Sequence, residues 1–78
     1  MNKQDVFAWL AVVFDEPVEN VLPNTSRDSI AGWDSLGVLT LMADLDEKFD
    51  IQAGEQEMSD MTSIQDVIDL LERHGKLT

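Results

Sequence analysis

Cysteine is absent from this 78-residue chain, and histidine, proline and basic residues are scarce. Without cysteine there is no disulfide framework, no thiolate nucleophile and no cysteine-based zinc site. A single histidine, His74, leaves no second imidazole for a metal site, so we expect no bound metal. These absences leave a small hydrophobic core as the only source of stability.

Basic side chains are outnumbered by acidic ones, five to sixteen, which gives a net charge of −11. A chain this acidic should repel nucleic acid and anionic membranes and attract basic surfaces on other proteins. The alternative is that the charge only keeps the protein in solution. No apolar run approaches the roughly 20 residues of a membrane span, and Met1–Asp5 lacks a signal-peptide pattern. We therefore expect a cytoplasmic monomer that neither binds nucleic acid nor inserts into membranes.

Helical periodicity is what the sequence does contain. Apolar residues recur at helical spacing near 3–15, 35–49 and 64–74, a short turn is expected at 55–58, and no strand alternation is visible. The pattern predicts one all-α domain over 1–78, a small antiparallel bundle of three main helices plus a short fourth. A long loop, 16–33, separates the first two helices.

Capping residues and apolar anchors complete this prediction. Asn2 is expected to cap the first helix, Thr62 with Gln65 to form a capping box for the last, and Gly75 to end it. In the loop, a short helical turn is expected near 18–22. Trp9 is predicted to pack without a polar neighbour, and residues 76–78 to fray. The expected loop anchors are Val18, Val21, Leu22 and Ile30.

The second helix carries two apolar stripes when its residues are placed at 100° intervals. The core stripe comprises Val38, Leu41, Met42, Leu45 and Phe49. The second stripe comprises Leu36, Leu39 and Ala43, with Ser35 between the two stripes and Asp46, Glu47 and Asp50 beside it. Exposed apolar residues ringed by carboxylates indicate a docking face. The alternative is that the third helix covers Leu36 and Leu39.

Ser35 should lie exposed in the first turn of this helix, directly after the N-cap Asp34. Enzyme chemistry is not supported, because the chain offers no histidine near Ser35, no glycine-rich phosphate loop and no calcium loop. We therefore interpret Ser35 as a covalent attachment site, with no catalytic residues in the chain. The alternative is an ordinary first-turn serine.

Four segments together resemble the acyl carrier proteins. They are 33–36 (Trp-Asp-Ser-Leu), the run 41–51 that ends in an acidic cluster, Phe49 and Asp50, the last-helix segment 62–68, and the loop 23–27. The resemblance implies that Ser35 receives 4′-phosphopantetheine from coenzyme A through a separate, magnesium-dependent phosphopantetheinyl transferase. The arm would carry acyl groups as thioesters between acyl-loading and acyl-processing enzymes with basic docking patches. The docking residues implied are Asp34, Leu36, Leu39, Asp46, Glu47 and Asp50.

Two positions depart from the family pattern. Many fatty-acid carriers have acidic residues where this chain has Gly37 and Thr40, which favours partners from a dedicated pathway (fatty acid, polyketide or related). An exposed Gly37 would also cost the helix about 1 kcal/mol relative to alanine. Asp34 before the serine favours an acyl over a peptidyl carrier. An aminoacyl or D-alanyl carrier, and an unmodified acidic helical adaptor for basic partners, stay open.

Overall fold

Four α-helices and no strand make up the fold in a computed structural model that describes all 78 residues. The predicted all-α class, with three longer helices and one short one, is confirmed. Two single 3₁₀ turns, Val18–Asn20 and Arg27–Ser29, lie in the loop between the first two helices. The helices are α1 (Lys3–Val13), α2 (Ser35–Phe49), α3 (Glu55–Asp60) and α4 (Ile64–Arg73).

One cluster of 19 buried hydrophobic side chains holds these helices together. The largest share comes from α4, which buries five apolar residues completely because they recur at i, i+3, i+4, i+6 and i+7 and share one side of the helix. From α2, the buried side chains are Leu41, Leu45 and Phe49. Met58 and Met61 are buried in the same cluster, where flexible thioether side chains suit irregular gaps. The α4 set is Ile64, Val67, Ile68, Leu70 and Leu71.

Capping at the helix ends follows the sequence closely. The Asn2 side chain accepts the Asp5 N–H at 2.8 Å, and Gly75 adopts a left-handed φ of 67° after α4, both as predicted. At the start of α4 the predicted Thr62 cap is wrong by one residue, since Ser63 is the N-cap. The capping box pairs Ser63 with Asp66, three residues on, and not Thr62 with Gln65, whose side chain donates to Asp69. The Asp66 carboxylate accepts the N–H groups of Ser63 (3.2 Å) and Thr62 (2.8 Å).

The loop between α1 and α2 is fastened to the beginning of α4 by backbone hydrogen bonds. The Arg27 N–H donates to the Thr62 carbonyl at 2.7 Å, and the Ile64 N–H donates to the Thr25 carbonyl at 3.1 Å. A third bond joins the Gln65 N–H to the Pro23 carbonyl at 2.9 Å. These bonds order a segment that has little regular structure of its own.

Only two of the four predicted loop anchors reach the core. Val21 and Ile30 are buried, as expected, whereas Val18 and Leu22 are each about half exposed. The prediction for these two residues was wrong. An irregular loop has no repeating face, so the sequence pattern does not reveal which of its apolar side chains point inward.

Two further expectations are corrected. The Trp9 indole N–H donates to the Asp44 carboxylate at 2.9 Å, so this packing residue does have a polar partner. Its ring also meets the Phe49 ring edge-on, with 5.0 Å between centroids. The C-terminal residues expected to fray are hydrogen-bonded, because the Thr78 N–H reaches the Met1 carbonyl at 3.0 Å. The longest helix, α2, has 15 residues, and no helix qualifies as a membrane span.

Candidate functional site

Asp34 defines where α2 begins and therefore where Ser35 lies. Its backbone is extended, and its carboxylate accepts the Gly37 N–H at 2.9 Å. The Asp34 carbonyl then accepts the Val38 N–H at 2.8 Å, the first bond of the helical ladder. Ser35 is consequently the first helical residue, as the capping pattern predicted.

Ser35 is exposed and its hydroxyl makes no hydrogen bond within the protein. The side-chain bonds around it belong to its neighbours, from the Gly37 N–H to Asp34 and from the Thr40 hydroxyl to the Leu36 carbonyl. The backbone N–H groups of Ser35 and Leu36 have no acceptor either, as is usual in a first helical turn. An unpartnered hydroxyl and two free donors therefore lie side by side at the surface.

A groove opens beside this serine, between α2, α3 and the loop. We call it the Ser35 groove; its volume is about 320 Å³. Val38 and Met42 were predicted to lie on the core stripe, but both are only partly buried, since they line this groove. The polar lining is Arg27, Ser35, Glu55 and Ser59, and the apolar lining is Val38, Leu39, Met42 and Met58.

No histidine lines the Ser35 groove, because His74 lies at the far end of the chain, after α4. The groove thus lacks the imidazole that usually activates a serine nucleophile. Arg27, Glu55 and Ser59 were not identified as groove residues from the sequence. Arg27 and Glu55 lie in segments without periodicity, and only the packing of the loop and α3 against α2 brings them to Ser35.

The two leucines of the predicted docking face are both uncovered. Leu36 is 73% exposed and Leu39 is 62% exposed, so α3 does not cover them. Only Leu39 lines the Ser35 groove. Leu36 instead lines a smaller groove with Phe14 and Thr40. At 100° per residue the two leucines lie about 60° apart around α2, so they are neighbours on one exposed face between the two grooves.

The acidic residues predicted to flank this face lie towards the opposite end of α2. Asp46, Glu47 and Asp50 are exposed, and none of them forms an ion pair. At a rise of about 1.5 Å per residue, Asp46 is about 16 Å and Asp50 about 22 Å along the helix from Ser35. Asp34, by contrast, adjoins the serine. The predicted docking residues thus span the whole length of α2.

Gly37 is not the exposed glycine that the sequence suggested. It is buried, and a Cβ added there would overlap the carbonyl oxygen of Gly32. A Cβ on Gly32 would in turn overlap the carbonyl oxygen of Phe14. The two glycines let the loop and the end of α1 approach the first turn of α2 closely. We call this contact the glycine stack.

The rings beside the glycine stack keep it in place. Phe14 and Trp33 lie nearly parallel, at 16°, with 4.8 Å between their centroids. Trp33 is only 4% exposed, although its indole N–H has no hydrogen-bond partner. Loop, α1 and α2 therefore meet tightly one turn from the serine.

Comparison with known proteins found several relatives, among them three acyl carrier proteins or homologs. The chain is 28% identical over 68 residues to an acyl carrier protein homolog of Mycoplasmopsis pulmonis, covering 87% of this chain and 93% of the relative. It is 42% identical to an acyl carrier protein of Campylobacter concisus over 45 residues, 58% of each chain. An acyl carrier protein of Micrococcus luteus is 23% identical over 75 residues, covering 91% and 93%.

No family model matches the chain. The relatives from Mycoplasmopsis and Micrococcus nevertheless align over nearly their whole length, and all three bear the same family name. The four-helix fold, with no strand, agrees with this grouping. The resemblance of this chain to the acyl carrier protein family is therefore confirmed.

Proposed function

We propose that residues 1–78 form a single carrier domain. In this proposal, Ser35 holds acyl intermediates through a 4′-phosphopantetheine arm and presents them to the enzymes of a dedicated biosynthetic pathway. The observation that carries the proposal is Ser35 itself, an exposed and unpartnered hydroxyl at the start of a capped helix in a chain similar to acyl carrier proteins. The protein is then a substrate carrier without catalysis of its own. We further propose that the protein is a cytoplasmic monomer, as expected from the sequence.

The attachment step needs little from this chain. The Ser35 Oγ forms a bond to the phosphorus that bears the pantetheine of coenzyme A. The bond from that phosphorus to the bridging oxygen breaks, and adenosine 3′,5′-bisphosphate leaves. The hydroxyl proton passes to a base of the transferase, which supplies the activation that the Ser35 groove lacks. Ser35 contributes exposure and a fixed position.

The first turn of α2 suits the product of this step. A phosphodiester on Ser35 carries a negative charge, and free backbone N–H groups at a helix N-terminus stabilise an anion. The N–H groups of Ser35 and Leu36 are such donors. When bound, 4′-phosphopantetheine supplies a terminal thiol on which acyl groups travel as thioesters.

The partner surface follows from charge and exposure along α2. Leu36 and Leu39 offer apolar contacts, while Asp34, Asp46, Glu47 and Asp50 offer uncompensated negative charge. We propose that the transferase and the acyl-loading and acyl-processing enzymes meet this surface with basic patches. The net charge of −11 would steer such partners during encounter.

The adaptor alternative rests on the same two leucines, since an exposed apolar pair can bind a basic partner without any arm. Modification of Ser35 separates the two functions. The protein is incubated with coenzyme A, Mg²⁺ and a broad-specificity phosphopantetheinyl transferase, and its intact mass is measured. We expect the gain of one phosphopantetheine.

The experiment compares two serines that line the same groove, Ser35 as the test and Ser59 as the matched control. Ser35→Ala should abolish the mass gain, whereas Ser59→Ala should leave it intact, because Ser59 also lines the groove but belongs to α3. An unchanged mass for the unaltered protein, or a gain that survives Ser35→Ala, would contradict the carrier function.

A further inference from the structure

Arg27 is one of only five basic residues, and it lines the same groove as Ser35. Its N–H donates to the Thr62 carbonyl at 2.7 Å, and its own carbonyl accepts the Ile30 N–H at 3.1 Å. The side chain is half-buried and lines the Ser35 groove. The backbone from which this side chain extends is therefore held in place.

The guanidinium has no anionic partner in the protein. The one ion pair within 4.0 Å joins Arg73 and Glu57, on α4 and α3, and no side-chain hydrogen bond involves Arg27. Glu55, the other charged residue of the groove, stays beyond ion-pair distance. An unpaired arginine in a chain with sixteen carboxylates is unexpected, since partners are abundant.

An aromatic ring lies beside this guanidinium. The Arg27 Cζ lies 6.0 Å from the centroid of the Trp33 ring, at the outer limit of a cation–π contact. Trp33 is in turn fixed against Phe14. A rigid ring on one side and a groove on the other restrict the positions that the guanidinium can take, which lowers the entropy that it loses on binding a ligand.

We infer that Arg27 is the anion-binding residue of the Ser35 groove and that it contacts a negatively charged oxygen on the group attached to Ser35. This inference rests on the proposed function. A guanidinium binds phosphate and carboxylate oxygens through paired N–H donors. Two sources supply that chemistry: the phosphodiester on the Ser35 Oγ, and a carboxylate at the end of a cargo that folds back into the groove.

The experiment compares how attachment of the arm changes the thermal midpoint of unfolding in three proteins. They are the unaltered protein, Arg27→Gln, and the control Arg73→Gln, which removes the same charge from the α3–α4 side. Each is measured unmodified and after loading, with intact mass confirming complete modification. We expect loading to raise the midpoint by roughly 3 °C more in the unaltered protein and in Arg73→Gln than in Arg27→Gln.

Loading the protein from three different coenzyme A compounds identifies which group supplies the anion. Coenzyme A and acetyl-coenzyme A attach only the phosphodiester charge, whereas succinyl-coenzyme A adds a terminal carboxylate. An Arg27-dependent shift with all three donors assigns the phosphodiester, and a shift with the succinyl form alone assigns the cargo. The NMR resonance of the Arg27 Nε–H should move on loading in the same cases, which reports the contact without reference to stability.

Equal midpoint shifts in all three proteins, together with an unmoved Arg27 resonance, would overturn the inference while leaving the carrier function intact. Absence of any mass gain would overturn both, and the mass measurement shows this before any midpoint is recorded. Arg27→Lys keeps the charge but loses the paired donors, so it should retain only part of the shift. Full retention by lysine would refute the paired-donor contact.

Discussion

Helices α4 and α2 use their apolar residues in opposite ways. α4 buries all five of its large aliphatic side chains completely, whereas α2 leaves Leu36 and Leu39 mostly in solvent. Burial of a leucine is worth about 1.5–3 kcal/mol, so two exposed leucines forgo stability that a small core needs. The difference indicates that α4 serves mainly as scaffold. In α2 one face stabilises the fold and the other remains available for contacts.

The largest expected effect tests the scaffold side of this comparison. Leu70→Ala should lower the free energy of unfolding by about 2–5 kcal/mol, since it removes a completely buried side chain and leaves a cavity. Leu36→Ala is the matched substitution on α2 and should change it by less than about 0.5 kcal/mol. Urea denaturation at low temperature measures both. Similar losses for the two variants would mean that Leu36 is covered after all.

The next effect concerns the glycine stack. In an exposed helix, alanine would be more stable than glycine by roughly 0.5–1 kcal/mol. At Gly37 the sign should reverse, with a loss of about 1–3 kcal/mol, because a Cβ would push against the Gly32 carbonyl. Gly54→Ala is the control, since nothing lies within 4 Å of its added Cβ, and it should be nearly neutral. A stabilised Gly37→Ala variant would show that the contact is loose.

The smallest effect is kinetic and belongs to the exposed face of α2. Reversing both Asp46 and Glu47 to lysine should slow loading by the transferase roughly tenfold at low salt, with the difference shrinking as salt rises. The control places the same charge change on α4, at Asp69 and Glu72. Both double variants should stay folded. Equal loading rates for the two double variants would show that Asp46 and Glu47 do not belong to the partner surface.

Sequence reasoning recovered what depends on local patterns. The four helices, the caps at Asn2 and Asp34 and the left-handed Gly75 all follow from periodicity and capping chemistry. The cap of α4 was misplaced by one residue, because Thr62 and Ser63 are both good caps and both have a suitable partner three residues on, Gln65 and Asp66. Local rules cannot settle such near-equal choices.

The roles of Gly37 and Arg27 could not be predicted from the sequence, because they depend on contacts between distant segments. From the sequence, Gly37 was expected to be an exposed glycine that destabilises its helix. In the structure it is buried against Gly32 and Phe14. Arg27 looked like an ordinary loop residue, since its place beside Ser35 depends on a loop that is fastened to α4. In both cases the residues that meet are neither neighbours in the chain nor members of one periodic element.

The glycine stack also limits how the partner preference of this protein can change. A side chain at position 37 would need the loop to move away from α2, so an acidic residue there would destabilise the fold. Position 40 is different, because Thr40 is exposed and its only side-chain bond returns to the Leu36 carbonyl. If the protein is the proposed carrier, adaptation to enzymes that recognise a charge near Ser35 would therefore disturb the fold less at position 40 than at position 37.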